Sequence, residues 1–73
     1  MDFGTFFEKN KDLFYTNGAI DWEGFKERAA MQLFSLHLLG VTCRNGIIKF
    51  RFSCNDVMEY VITVTSDDKC WLG

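Results

Sequence analysis

From Asp2 to Phe14, Phe3, Phe6, Phe7, Leu13 and Phe14 recur on one side of a helical period, and Glu8, Lys9, Lys11 and Asp12 occupy the other. The pattern predicts a helix over about 2–14, capped by Asp2. Tyr15-Thr16-Asn17-Gly18-Ala19 reads as a loop. A second helix is then expected from Trp22 to about Leu39. Asp21 is its N-cap, Ile20 packs on Phe25 as a hydrophobic staple, and Gly40 is the residue that ends it. Trp22, Phe25, Ala29, Leu33 and Leu36 form its main apolar stripe, with Ala30, Phe34 and Leu38 beside it. A helix apolar on so many sides must be covered by something else.

The cover is predicted by the next segments. Asn45-Gly46 between two apolar runs is a strong hairpin signal, giving strands over about 41–44 and 47–53. A two-residue loop pairs Cys43 with Ile48 and Val41 with Phe50. Ile48, Phe50, Phe52 and Cys54 then share one face. A third strand is expected over about 58–65. A two-residue turn at Asn55-Asp56 would bring Glu59 to the core face, so the loop must be odd-numbered. With Cys54-Asn55-Asp56 as that loop, Phe52 faces Met58, Phe50 faces Tyr60, Ile48 faces Ile62, and Arg51 meets Glu59 outside. The expected architecture is α+β, one small domain of order α-α-β-β-β. A three-stranded antiparallel meander packs on the long second helix, and residues 66–73 form a tail.

A length of 73 residues limits the chain to one core. Eight Phe, two Tyr and two Trp supply the dense aromatic packing that so short a chain needs. The net charge of -2 is unevenly spread. Residues 1–40 hold six acids and four bases, residues 55–73 hold four acids and Lys69, and residues 41–54 hold Arg44, Lys49 and Arg51 with no acid. General affinity for polyanions is therefore not expected, but a local basic strip is.

No apolar run approaches the roughly 20 residues of a membrane span. The first ten residues lack the basic start and apolar centre of a signal peptide. A soluble chain in a reducing cytoplasm is expected, without a membrane partner. Cys43, Cys54 and Cys70 agree with that, being odd in number and without CxxC spacing. In the predicted register Cys43 and Cys54 lie about 20 Å apart, so only Cys43 and Cys70 could pair, if the tail folds back.

Catalytic chemistry finds no foothold. His37 is the only histidine and is expected at the margin of the core, so neither a metal site nor a cofactor is predicted. Arg44 beside Cys43 falls on the opposite face and Cys54 is expected in a turn as a structural thiol, no two carboxylates are placed as an acid/base pair, and no phosphate-binding glycine motif is present. An enzyme is not expected.

The remaining class is protein interaction. The second helix carries more apolar surface than its expected cover hides, and Trp22 and Trp71 are interface-prone residues. The candidate partner-binding residues are Trp22, Phe34, Leu38 and Trp71, with Ile47 and Val61 as a patch on the outer sheet face. The expected function is a non-enzymatic module, either a homodimer or an inhibitor or adaptor of a larger protein, such as viruses and mobile elements encode. The alternative is nucleic-acid binding by Arg44, Lys49 and Arg51 on that outer face, which on this reading lacks an aromatic for stacking.

Overall fold

Asp2 begins the first helix, α1 (Phe3–Phe14), by accepting a 2.7 Å hydrogen bond from the Thr5 amide. The computed structural model describes all 73 residues. Phe3, Phe6, Phe7 and Phe14 of α1 are buried, as their spacing requires, whereas Leu13 points outward. The segment expected as a loop is instead a miniature hairpin, β1 (Tyr15–Thr16) and β2 (Ala19–Ile20). Asn17 and Gly18 between them adopt φ of 52° and 80°, the left-handed pair of a type I′ turn.

The second helix, α2 (Trp22–Met31), starts as expected, with the Asp21 carboxylate accepting from the Gly24 amide at 2.9 Å. It ends eight residues before the expected Leu39. The Phe34 amide bonds the Ala29 carbonyl at 2.9 Å and the Leu33 amide bonds Ala30 at 3.0 Å, with Leu33 at φ 67°. This is the reciprocal bonding of a Schellman terminus, with leucine where glycine usually stands. Beyond it, Phe34-Ser35-Leu36-His37-Leu38 alternates apolar and polar residues, and strand periodicity prevails over the helical stripes.

Four strands form one antiparallel sheet in the order β3 (Leu36–Arg44), β4 (Ile47–Cys54), β5 (Met58–Thr65), β6 (Cys70–Leu72). The first strand is thus longer than expected, and the expected tail supplies a fourth. Cys43 faces Ile48 and Val41 faces Phe50 as predicted, and a bulge at Leu39 shifts the register by one so that Leu38 pairs with Phe52. Between β4 and β5 the loop is odd-numbered, but it is Asn55-Asp56-Val57, two positions' pairing away from the expected register. Phe52 faces Tyr60, Phe50 faces Ile62 and Ile48 faces Val64. Asn55 holds this register: it exchanges bonds with Ser35, its amide donating to the Ser35 carbonyl and its side-chain oxygen accepting from the Ser35 amide, each at 2.8 Å. Cys54 is thereby kept in the strand, buried, rather than in the turn.

Both helices lie on the inner face of the sheet. Phe3 stacks on Tyr60 at 4.8 Å and meets Phe34 edge-on at 5.3 Å. Phe14 meets Phe25 and Phe50 edge-on at 5.3 and 5.2 Å. Trp22 lies over Phe50 and Phe52 at 6.0 and 5.4 Å. Contacts of this kind each add about 0.5–1.5 kcal/mol beyond burial, which is how so short a chain closes a core. No helix is long and apolar enough to cross a membrane.

Candidate interaction surface

The face of the sheet turned away from the helices carries no covering layer. Register places its side chains in rows: Arg44, Ile47 and Thr65; Thr42, Lys49, Thr63 and Trp71; Arg51 and Val61. Two-residue alternation sends these positions outward because Ile48, Phe50 and Phe52 point inward. The centre is a shallow hollow lined by Ile47, Lys49, Val61, Thr63, Trp71 and Gly73. Trp71 is 45% exposed and Ile47 39%, while Thr63, between Lys49 and Trp71, keeps only 7%. Gly73 is fastened to Val61 by two backbone bonds of 2.9 and 3.2 Å, which holds Trp71 against the sheet.

Three cations edge this hollow. Arg51 approaches Glu59 at 4.0 Å, a diagonal neighbour rather than the directly opposite one expected. Both groups are more than half exposed, so the pair holds the side chains only weakly. Arg44 and Lys49 have no ion-pair partner. The face therefore combines apolar groups with positive charge in an otherwise acidic chain.

Ile47, Val61 and Trp71, picked out from sequence, come together here with Arg44, Lys49 and Arg51. The other three candidates do not join them. Trp22 is half-buried on Phe50 and Phe52, and Phe34 is packed on Phe3 and Phe6, so both serve the core. Leu38 is 36% exposed on the inner side of β3, far from the outer hollow. The sequence pattern does not place Trp71 on this face, because residues 66–73 read as a tail. The alternation Cys70-Trp71-Leu72 was the available signal, three residues long.

His37 is not at a core margin on a helix; it is exposed on the outer side of β3, opposite Ser53. All three thiols are free. Cys43, Ile48, Val64 and Cys70 form one row across four strands, so Cys43 and Cys70 stand about 14 Å apart and cannot pair. Burial pushes the Cys54 and Cys70 thiols above their ordinary range, the reverse of nucleophile activation. The other displaced groups answer first to hydrogen bonds: Asp2 to Thr5, Asp67 to Thr65, Tyr15 to Asp68 and Lys11 to Glu8. No three His, Cys, Asp or Glu side chains are grouped to hold a metal ion. No family model, curated protein or solved structure matches the chain.

Proposed function

We propose that this chain is a non-enzymatic protein-interaction module, a small inhibitor or adaptor that binds a larger protein through the outer face of its sheet. The observation that supports this reading is Trp71, half exposed beside Ile47 and Val61 and edged by Arg44, Lys49 and Arg51. Tryptophan and arginine are the residues that most often carry binding energy, and an apolar centre with a charged rim is the usual layout of an interface. The complementary partner surface is an apolar patch flanked by carboxylates. Three free thiols suit a reducing cytoplasm as the place of action.

One observation favours a second reading, nucleic-acid binding. Trp71 supplies the stacking aromatic that the basic face lacks when residues 66–73 are taken as tail. A single ring is a narrow platform, since sheet-face readers stack two or three bases, and Glu59 lies beside Arg51.

Affinity capture from the source cells separates the two, using the natural chain, Trp71→Ala and the double variant Lys49→Ala/Arg51→Ala. A protein retained by the natural chain is expected to be lost with Trp71→Ala, by at least about 30-fold in affinity for a hot-spot residue. Its retention should change little between about 50 and 200 mM salt, whereas phosphate-driven binding with several contacts falls by orders of magnitude. Recovery of nucleic acid alone, released by salt and by the Lys49/Arg51 variant, overturns the protein reading.

A further inference from the structure

The open edge of the sheet is β3. It runs nine residues, pairs only with β4, and contains no Pro, Lys, Asp or Glu, leaving the Leu39 bulge and the terminal Arg44 as the features that blunt it. The other edge, β6, has three residues. The two-residue Asn45-Gly46 loop makes Arg44–Ile47 a hydrogen-bonded pair. Alternation from there turns the backbone groups of Arg44, Thr42 and Gly40 toward β4, and those of Cys43, Val41 and Leu38 toward solvent. Two bonds elsewhere agree with this phase. Val61 bonds Gly73 in both directions, which leaves Arg51 to bond across to Gly40, and Asn55 bonds Ser35 beyond the bulge. The side chains at the unpaired positions are apolar and uncovered: Leu38 is 36% exposed, Val41 48%, and Cys43 is exposed.

We propose that a second copy of this chain covers that edge, by antiparallel β3–β3 pairing about a twofold axis at Gly40. The chain's own sequence supplies the complement along the whole strand. With the bulged Leu39 set aside, Leu38 falls opposite the partner's Val41, Leu36 opposite the partner's Cys43 and His37 opposite the partner's Thr42. Arg44 meets the partner's Ser35, so no like charges oppose one another. Gly40 sits on the axis at a position not bonded between copies, where Cα atoms approach to about 4.5 Å. A sheet with one long free edge closes as a pair rather than growing into a fibre. The axis stands normal to the sheet, so the eight-stranded dimer presents both Trp71 hollows on one side. A target with two sites would then be held bivalently.

This pairing uses neither Trp71 nor the basic rim, so it stands or falls apart from the outer-face reading. Sedimentation equilibrium is expected to show a monomer–dimer equilibrium in the micromolar range, as fits a small interface. Hydrogen exchange should show the Val41 and Cys43 amides slowing as concentration rises. Val41→Pro removes one outward amide that β4 does not use, and Val41→Lys places a charge on the uncovered side; both should be folded monomers by circular dichroism and sedimentation. A natural chain that stays monomeric to millimolar concentration overturns the proposal. So does a dimer that survives Val41→Lys, or one in which the Val41 and Cys43 amides still exchange freely.

Discussion

One strand shows two regimes. On β4, Phe50 and Phe52 project inward into a shell of rings from Phe3, Phe14, Trp22 and Tyr60, while Ile47, Lys49 and Arg51 project from the same backbone into solvent. The backbone ladder serves both sets equally. Only the inner set is covered by helices, so side-chain packing energy is concentrated on one side of the sheet. The outer side can therefore be changed with little effect on folding, which makes it suitable as a binding face.

The largest test of that contrast is Phe52→Ala against Lys49→Ala in urea denaturation. Phe52 is fully buried and touches three aromatic rings, so its truncation should cost about 3–5 kcal/mol. That is most or all of the stability expected of so small a domain, for which about 5 kcal/mol is ordinary. Lys49→Ala should stay within about 0.5 kcal/mol. Equal losses would mean that the outer face is structural after all.

A smaller effect is expected where the covering layer stops. Leu33 ends α2 in a left-handed conformation with 86% of its surface exposed, so it contributes strain without packing. Such a residue costs about 1–3 kcal/mol, partly offset by the roughly 0.5–1 kcal/mol of chain entropy that glycine loses on folding. Leu33→Gly should therefore raise the melting temperature by a few degrees, at about 4–8 °C per kcal/mol for a domain of this length. A lower melting temperature would show that the Leu33 side chain packs in solution and that the inner cover extends past Met31.

The smallest effect concerns the start of the cover. The Thr5 amide, hydrogen-bonded to Asp2, holds that carboxyl below its ordinary range. The folded-state pKa is the lower one, so the stabilisation is present above the unfolded pKa near 3.8 and fades as pH falls through the folded value. The stability difference between the natural chain and Asp2→Ala should be constant near neutrality and shrink below about pH 4. A difference independent of pH down to acid unfolding would show that the cap acts without its charge.

The elements that were legible in the sequence carried local, redundant signals. Asn45-Gly46 alone set the β3–β4 register near the turn, and the need to keep Glu59 off the core set the parity of the next loop. Parity survived a shift in the turn residues, so both faces of β4 and β5 came out correctly populated. Gln32 to Leu39 reads as helix because five apolar residues in eight satisfy a helical and a strand period at once, and Leu33 gives no glycine mark to the helix end. The outer surface was half legible: Ile47, Val61 and the three bases follow from alternation, but Trp71 reaches them only through β6. Trp22 and Phe34 look surplus in the sequence because the pattern of α1 does not reveal how much its four buried phenylalanines cover.

The order of the sheet has a kinetic consequence. Each strand from β3 to β6 pairs with its immediate neighbour in sequence, and the first hairpin and α2 are likewise built from contiguous residues. Loop closure is short at every strand-pairing step, and the chain contains no proline whose isomerisation could delay it. Refolding then reduces to zipping local hairpins and docking α1 upon them, in a single phase without the tens-of-seconds laggards that proline imposes on many domains. A chain that reaches its native state so directly exposes the bare β3 edge only briefly outside a folded context.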